Sequence, residues 1–352
     1  MDLRERLKKT ENYLRYYLSY VFNVPLIYPK EVNFQMTNRC TLRCKMCNIW
    51  KLPKKDKEID VDEMKRILDE VKNWEETKYV SFVGGESLIR MNDTIEMIKY
   101  ASSLGFHTNL VSNATLLNES LCEKLVEAGL ERIALSLDGA KRKTHDFIRG
   151  KGNFDKVIKT AKIFLKLKGN YRVKVDFTTV VMSYNFRELV DIYFLAKKVG
   201  VDQIFFQSLV LDNTFKNFNY DSPLWIKGKE LEELKKVINQ LLKIKVKDKG
   251  FIYNSVEYLK AIPEYFEKRG DFKVGKCMAG YFTLNIDPYG KISICSFGPD
   301  LSVVGKKLDD VWHSEKFKKT RVLIKKCKMP CMMLCYQRFS ILELVKNFLK
   351  ES

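Results

Sequence analysis

Short runs of apolar and β-branched residues recur along the chain between residue 31 and about residue 211. Runs that are rich in Val, Ile, Phe and Tyr and are bounded by polar turns predict buried strands. The six predicted strands are Val32–Met36, Tyr79–Val83, His107–Ser112, Arg132–Leu137, Val173–Val181 and Gln203–Leu209. Long stretches separate them, so the pattern indicates crossover connections and not hairpins.

The stretches between these runs carry the apolar spacing of amphipathic helices. One stretch places apolar residues on a single helical face, namely Val61, Met64, Ile67, Leu68 and Val71. Asp60 precedes this face and Glu63 lies three residues later, which is the capping-box pattern of a helix start. Six repeats of strand and helix therefore predict parallel strands joined by right-handed crossovers.

This order of elements predicts an α/β fold, either a doubly wound sheet or a barrel, complete or partial. In both architectures the chemistry collects where strands end and helices begin. Residues 31–211 would form this core, preceded by an amphipathic helix in residues 1–30. A helical connection (212–272), a cysteine-bearing domain (273–340) and a terminal helix (341–352) would follow. The connection contains the predicted helices Lys229–Lys245 and Ser255–Lys268.

Composition and charge narrow the class of protein. The net charge is +19 and the hydrophobic share is 45%. No apolar run is long enough to span a bilayer and no signal-peptide pattern opens the chain, so a cytoplasmic location is expected. The basic residues are spread along the chain without a dense block, so nucleic acid is not an expected partner. The amphipathic N-terminal helix could lie on a membrane surface or pack on its own domain, and both remain open.

Eight of the nine cysteines fall into two groups, which in a reducing compartment indicates metal rather than disulfides. Cys40, Cys44 and Cys47 follow the first predicted strand directly, with the spacing C-x3-C-x2-C. Three thiolates would hold three irons of a 4Fe–4S cluster and leave the fourth iron open to a small molecule. A zinc site is the competing interpretation, but no histidine lies nearby in the sequence. Cys122, outside both groups, is expected to be a packed apolar residue.

Polar groups follow the next three predicted strands at the same end of the sheet. They are Gly84-Gly85-Glu86, Ser112-Asn113 and Ser136, with Arg149 a little further along the chain. Paired glycines allow a ligand to approach the backbone closely, and Glu86 could accept hydrogen bonds from an ammonium group. Together these residues indicate a ligand that carries hydroxyls, an amine and a carboxylate.

The cysteine loop, the Gly-Gly-Glu turn and the Ser-Leu-Asp-Gly stretch at Ser136–Gly139 resemble the radical S-adenosylmethionine (radical SAM) superfamily over roughly residues 31–211. The resemblance implies a partial (β/α)6 TIM-like barrel. It implies that Cys40, Cys44 and Cys47 hold a catalytic 4Fe–4S cluster whose open iron chelates S-adenosylmethionine. One electron then cleaves the sulfonium, and the resulting 5′-deoxyadenosyl radical takes a hydrogen atom from the substrate.

The same resemblance implies roles for the polar residues at the strand ends. Gly84, Gly85 and Glu86 would meet the methionine amine, and Ser136 and Arg149 would address its carboxylate. Ser112 or Asn113 would contact the ribose. Ala114 departs from the glycine that relatives often have in this turn, so the ribose contact is the least specific of these expectations.

The second group contains Cys277, Cys295, Cys327, Cys331 and Cys335. With Gly290 and the run Asp309–Phe317 it resembles the SPASM or shorter twitch extension of the superfamily, which binds auxiliary iron–sulfur clusters. A full SPASM domain has seven cysteines for two clusters, so five cysteines imply one auxiliary 4Fe–4S cluster. The spacing does not decide which four of the five bind it, and a zinc ribbon remains the alternative.

These features predict a radical SAM enzyme that needs a flavodoxin- or ferredoxin-like one-electron reductant. A peptide or protein side chain is the favoured substrate, and a lipid, a cofactor precursor, a small metabolite and RNA are alternatives. The rival from another class is a non-catalytic iron–sulfur electron carrier or binding module.

Overall fold

Seven parallel strands form one curved sheet in the computed structural model, which describes residues 3–54, 57–211, 219–268, 277–292, 294, 301–327 and 331–333. The strands are β1 (Glu31–Gln35), β2 (Tyr79–Val83), β3 (His107–Ser112), β4 (Arg132–Ser136), β5 (Lys174–Val181), β6 (Gln203–Ser208) and β7 (Thr283–Ile286). Their order across the sheet is β6-β5-β4-β3-β2-β1-β7. The six predicted strands are confirmed, each to within one residue at either end.

Helices fill the connections as the apolar spacing predicts. They are α1 (Leu3–Phe22), α2 (Val61–Lys72), α3 (Met91–Ser103), α4 (Glu119–Glu127), α5 (Arg142–Arg149), α6 (Asn153–Leu167), α7 (Leu189–Val199), α8 (Lys229–Lys245), α9 (Val256–Glu267), α10 (Leu308–His313) and α11 (Glu315–Lys325). The α/β partial-barrel prediction is thereby confirmed. The predicted terminal helix, Ile341–Lys350, lies outside the described residues.

The two faces of the sheet differ in chemistry because side chains alternate along a strand. Val32 and Phe34 of β1 are buried in the hydrophobic core that the flanking helices share. The alternate positions are polar: the Ser81 hydroxyl donates to Glu31 (2.5 Å), and the Asn109 amide donates to Ser81 (3.0 Å). The face of the sheet that points away from the helices is therefore a polar surface.

A seventh strand makes the sheet wider than the six-strand prediction. Strand β7 pairs with β1 in parallel, with Glu31 opposite Thr283 and Phe34 opposite Ile286. It comes from the segment that the sequence assigned to the cysteine-bearing extension, and only four residues carry its pattern. An isolated bridge between Ile204 and Ile252 extends the other edge beside β6. The extension thus shares the sheet of the barrel.

The extension is also fixed to α2, by side chains that bind its main chain. The Arg66 guanidinium donates to the carbonyls of Val303 (2.8 Å) and Lys306 (3.0 Å). The Glu70 carboxylate accepts from the amide of Leu308 (2.5 Å). Asp60 caps α2 by accepting from the Glu63 amide (3.0 Å), as predicted, but the Glu63 carboxylate turns to Arg66 and does not complete the capping box.

Helix α1 packs with one side on the barrel, because Tyr16 and Ser19 are buried while Leu7 and Leu14 are exposed. Tyr16 lies against Phe282, with ring centroids 5.2 Å apart, just before β7. Among the residues that the structure describes, no helix is both long and apolar enough to cross a membrane. The side of α1 that carries Tyr16 and Ser19 therefore packs on the protein's own domain. Contact of the opposite, exposed side with a membrane stays a prediction.

Candidate functional site

The three cysteines of the first group lie in the loop that leaves β1. The Cys40 sulfur accepts from the Leu42 amide (3.5 Å) and from the Asn113 side-chain amide (3.6 Å), and the Cys44 sulfur lies 3.9 Å from Nη1 of Arg149. Burial raises the pKa of Cys44 to about 11, and the charges of Cys47 and Cys40 add to this rise. The three predicted ligands thus lie in one loop, near enough for their charges to interact, but no three His, Cys, Asp or Glu side chains among the described residues are arranged to hold a single metal ion.

Two glycines hold this loop against the end of β2. A Cβ atom on Gly84 would lie 2.6 Å from the Thr37 carbonyl oxygen, and one on Gly85 would lie 2.1 Å from that of Arg39. The Gly85 amide donates to the Thr37 carbonyl (2.8 Å), and the Glu86 amide donates to that of Arg39 (2.9 Å). Both positions therefore require glycine for close backbone approach. Their contact with the methionine amine stays a prediction.

The Glu86 carboxylate points to neighbouring strand ends. It accepts from the Ser112 hydroxyl (3.0 Å), the Asn113 amide (2.9 Å) and the Leu88 amide (3.4 Å), and Glu86 is 1% exposed. Burial raises the pKa of Glu86, although the hydrogen bonds from Asn113 and Ser112 oppose the shift. Glu86 therefore stabilises the turn after β3, a function that the sequence did not indicate.

The turn after β3 presents Asn113 better than Ser112. The Ser112 hydroxyl donates to Glu86 and accepts from the Ala114 amide (3.1 Å), so most of its bonding capacity is used. The Asn113 side-chain amide reaches both Cys40 and the Thr41 hydroxyl (3.1 Å). Ala114 adopts a left-handed conformation with φ of 67°, which explains why glycine would suit this position. Of the two predicted ribose contacts, Asn113 lies nearer the cysteine loop.

An ion pair fixes Arg149 beside the cysteines. Its Nε donates to the Asp138 carboxylate (2.6 Å), and the other Asp138 oxygen accepts from the Val180 amide (2.7 Å). Burial alone would lower the pKa of Arg149, but the charges of Asp138 and Cys44 outweigh it, and the pKa is raised. A permanent cation is thus held next to a thiol that an iron cluster would need as thiolate.

Ser136, at the end of β4, is the candidate whose hydroxyl remains available within the described part of the chain. Ser136 is 8% exposed, and its neighbour across the sheet is Thr178. Serine hydroxyls donate readily to carboxylates. Together with Arg149 it offers a donor and a cation to an anionic group, although the carboxylate contact itself stays a prediction.

A histidine and an asparagine connect these elements, and the sequence analysis missed their function. His145, fully buried, accepts from the Asp138 amide at Nδ1 (3.1 Å), so Nε2 carries the proton and donates to Asn153 (2.9 Å). The Asn153 amide donates in turn to the Asn113 carbonyl (2.9 Å). Burial lowers the pKa of His145, so the ring is neutral. His145 opens the run His145–Gly150, but a single sequence does not distinguish a histidine that connects two strand ends from one that only caps a loop.

The extension brings part of the second cysteine group to the edge of the barrel. Gln207 and the Tyr258 hydroxyl both donate to the Met332 carbonyl (2.8 Å each), and Met332 is buried beside Cys331. Gln207, in β6, therefore anchors the extension. Cys277 and Cys327 are described as well, whereas Cys295 and Cys335 lie outside the described residues. Cys122 is fully buried in the core, as predicted.

The residues present fit a 4Fe–4S cluster. Three cysteines lie in one loop, N–H donors are directed at the sulfurs of Cys40 and Cys44, and a buried cation lies beside Cys44. Such donors and charges tune an iron–sulfur cluster. A small donor set of Ser136, Arg149 and Asn113 borders the same loop. Cluster and amino-acid ligand would therefore share one end of the sheet.

Comparison with known proteins agrees with this site. Residues 34–196 match the model of the Radical SAM superfamily. The PqqA peptide cyclase of Bradyrhizobium diazoefficiens is 28% identical over 283 residues, 78% of this chain and 67% of that protein. The AdoMet-dependent heme synthase of Methanosarcina barkeri is 31% identical over 176 residues, 49% of this chain and 48% of that protein.

The fold is similar to that of Streptococcus suis SuiB. The structure of SuiB bound to S-adenosylmethionine aligns with a TM-score of 0.66 and 20% identity, over 89% of this chain and 77% of that chain. The structure of SuiB bound to its precursor peptide SuiA aligns with a TM-score of 0.64 and 18% identity, over 88% and 70%. Family match, fold and cysteine positions lead to one conclusion: residues 34–196 form a domain of the radical SAM superfamily, whose enzymes use a 4Fe–4S cluster and S-adenosylmethionine.

Proposed function

We propose that this radical SAM enzyme modifies a side chain of a peptide substrate. When bound, the 4Fe–4S cluster and S-adenosylmethionine supply a one-electron cleavage that releases a hydrogen-abstracting 5′-deoxyadenosyl radical. The observation that carries the proposal is the placement of Cys40, Cys44 and Cys47 in one loop, with Arg149 beside Cys44, in a chain that matches a peptide cyclase over 78% of its length. The peptide that SuiB binds supports the same class of substrate.

The protein's own residues would bind and orient the cofactors. Cys40, Cys44 and Cys47 would ligate the cluster, while Asn113 and Arg149 direct N–H groups at the Cys40 and Cys44 sulfurs. Ser136 and Arg149 would hold the carboxylate of S-adenosylmethionine, Asn113 its ribose, and the Gly84–Glu86 main chain its amine. Glu86, Asp138, His145 and Asn153 would keep these groups in place through buried hydrogen bonds.

The extension would hold one auxiliary 4Fe–4S cluster with four of its five cysteines, Cys277, Cys295, Cys327, Cys331 and Cys335. Cys331 lies next to Met332, which β6 and α9 anchor through Gln207 and Tyr258. An iron count tests this part of the proposal. About eight irons per chain are expected for two 4Fe–4S clusters, and about four would leave the extension without one.

An acidic flavodoxin or ferredoxin would supply the electron at the cysteine loop. Residues 39–54 contain five basic residues and no acidic one. Arg39 is paired with Glu58, but Arg43 and Lys51 lie over the Trp50 ring and Lys45 lies 4.3 Å from the Phe147 ring centroid. Positive charge that pairs with no acidic residue in the described part of the chain favours fast association with an acidic partner.

Two measurements test the function. Reconstituted protein reduced with dithionite should release 5′-deoxyadenosine from S-adenosylmethionine. If a protein with full iron loading releases none, the proposed enzyme activity is wrong and an electron carrier is favoured. A short peptide encoded beside the gene should then lose hydrogen atoms, visible by mass spectrometry. Cleavage of S-adenosylmethionine without any peptide modification would overturn the peptide proposal and direct attention to a cofactor precursor.

A further inference from the structure

An exposed pair of aromatic rings lies at the cofactor end of the barrel. Phe147, on α5, is 52% exposed, and Tyr184, in the turn after β5, is 39% exposed. Their ring centroids are 5.0 Å apart, and the planes meet at 78°. The Lys45 ammonium lies 4.3 Å from the Phe147 ring centroid. Phe147 thus contacts both of the others, and the three side chains form one surface, called the aromatic patch.

The aromatic patch lies next to a predicted ligand of the catalytic cluster. Lys45 follows Cys44 directly in the chain, and the Lys45 amide donates to the carbonyl of Ile148 (3.0 Å), the residue after Phe147. The Cys44 sulfur lies 3.9 Å from the carbonyl oxygen of Arg149. The patch is therefore one residue from Cys44 along the loop and two residues from its contact along α5. Because the rate of electron tunnelling falls steeply with distance, a donor on this surface is well placed to reduce the cluster.

Positive charge predominates beside the aromatic patch. Residues 141–151 contain five basic residues and one acidic residue, and the cysteine loop adds further basic residues and no acidic one. Lys143 is exposed and precedes Phe147 by four positions on α5, so the two share a face of the helix. The Asp146 carboxylate accepts from two main-chain amides (2.7 and 2.9 Å), so it is turned to its own chain. The surface is therefore complementary to an acidic partner.

Exposed aromatic rings beside positive charge suit a brief complex with an acidic electron carrier. Electron-transfer complexes bury little area, so a small patch is enough. Aromatic side chains are enriched at the centre of protein interfaces, where they supply much contact area per residue. Opposite charges at the border speed the encounter and set the orientation. These features together favour a one-electron carrier as the partner.

We propose that the aromatic patch is the surface on which an acidic flavodoxin or ferredoxin docks. Phe147 and Tyr184 would form the centre of the contact, with Lys45 and Lys143 at its border, and the electron would enter the cluster on the side of Cys44. The carrier is oxidised by one electron and the cluster is reduced by one. The inference rests on the proposed function, because it requires a reducible cluster at the cysteine loop.

Release of 5′-deoxyadenosine by the reconstituted full-length enzyme tests the proposal when two reductants are compared. One is a limiting amount of reduced acidic flavodoxin, and the other is dithionite, a small molecule that needs no docking surface. Phe147→Ser combined with Tyr184→Ser should lower the flavodoxin-driven rate about tenfold and leave the dithionite-driven rate unchanged. Lys143→Glu should lower the flavodoxin-driven rate about threefold at low salt, and this loss should disappear at high salt.

A matched control pair of rings lies on α7. Phe194 is 57% exposed, its ring centroid lies 5.2 Å from that of Tyr193, and the exposed Lys198 follows four positions later. Phe194→Ser and Lys198→Glu should change neither rate.

Three outcomes would overturn the docking proposal and leave the enzyme activity standing. They are equal losses with both reductants, which would assign the patch to substrate or cofactor binding, equal losses in the control variants, and a wild-type enzyme that responds to dithionite but not to flavodoxin. An enzyme with full iron loading that releases no 5′-deoxyadenosine even with dithionite would contradict the proposed function itself, and the docking proposal would fall with it.

Discussion

Two buried Asp–Arg pairs lie on the same sheet, and they differ in how completely they are satisfied. Asp138, at the cofactor end, gives one oxygen to Arg149 and the other to the Val180 amide. Asp176, in the third position of β5, gives one oxygen to Arg132 (2.5 Å), while its other oxygen is buried without a hydrogen-bond partner. Both carboxylates are fully buried.

The difference shows that a buried ion pair does not by itself mark a functional site. The pair at the cofactor end belongs to a chain of hydrogen bonds that reaches Cys44 and, through His145 and Asn153, the turn after β3. The Asp176 pair extends to Gln203 (3.3 Å from Arg132) and from there to the Gly250 carbonyl (3.2 Å). What distinguishes the site is that its polar groups form a continuous network directed at three cysteines.

The largest expected effect is that of Asp138→Asn. It leaves the Arg149 cation buried without its carboxylate, which should lower the free energy of unfolding by about 3–5 kcal/mol. The check is urea denaturation of the cluster-free protein under reducing conditions. Asp155→Asn, which breaks the exposed pair with Arg142, is the matched control and should cause no measurable change. A small effect at Asp138 would mean that the two buried pairs do not differ in the way described.

The second prediction concerns the pH dependence that Asp176 confers. Burial raises the pKa of Asp176 to about 6, even though Arg132 opposes the shift. Because the folded value lies above the unfolded one, the folded state binds more protons between pH 4 and 6. The free energy of unfolding should therefore fall by about 3 kcal/mol as pH rises through this window.

Urea midpoints measured at pH 4 and at pH 7 provide the check. Asp176→Asn should remove the part of the pH dependence that Asp176 contributes, whereas Asp62→Asn, at an exposed position on α2, should preserve it. If the wild-type slope survives in Asp176→Asn, another group causes it, and the contrast between the two buried pairs loses its energetic basis.

A smaller effect is expected for Glu86→Gln. The neutral amide cannot accept from Ser112, Asn113 and Leu88 as the carboxylate does, which should cost about 1–3 kcal/mol. The Asn113 amide should then retreat from Cys40, and the reduced cluster would lose a stabilising N–H group. A more negative reduction potential in an EPR-monitored titration is the expected result. Ser112→Ala removes one of these donors and should give a smaller shift. An unchanged reduction potential in both variants would show that Glu86 does not position Asn113 beside Cys40.

The smallest effect is expected at Ala114. Its left-handed conformation costs about 1–2 kcal/mol, which glycine would relieve, but glycine also loses a buried methyl and gains freedom in the unfolded chain. Ala114→Gly should therefore change stability by less than about 1 kcal/mol. Ala114→Val should destabilise by more than about 2 kcal/mol, because a β-branched residue fits this backbone region poorly. Equal effects of both variants in thermal denaturation would contradict the conformation described.

The sequence predicted the elements that repeat and missed those that depend on distant partners. The apolar spacing located β1 to β6 and α8, because burial on one face determines that pattern. The C-x3-C-x2-C spacing located the cysteine loop for a similar reason, since one short loop supplies all three sulfurs. Strand β7 was missed because its four residues become a strand only beside β1, about 250 positions earlier in the chain.

Within the site, the residues that act through a chain of hydrogen bonds were the hardest to predict from the sequence. Glu86 reads as a ligand of the amine in the sequence, but its carboxylate is enclosed by the turn after β3. The local sequence assigns no function to His145, but its ring bonds to Asp138 on one side and Asn153 on the other. Such bonds depend on the register between neighbouring strands, which local patterns do not encode.

Helix α2 holds the extension mainly through backbone atoms of residues 303–308, using Glu63, Arg66 and Glu70. Main-chain groups are the same in every amino acid, so these hydrogen bonds place no demand on side-chain identity, whereas the fully buried Val303 and Leu308 side chains do. An extension of different sequence would therefore need apolar residues at these two positions and the same backbone path. Under that condition the extension becomes an exchangeable module while the barrel stays as it is.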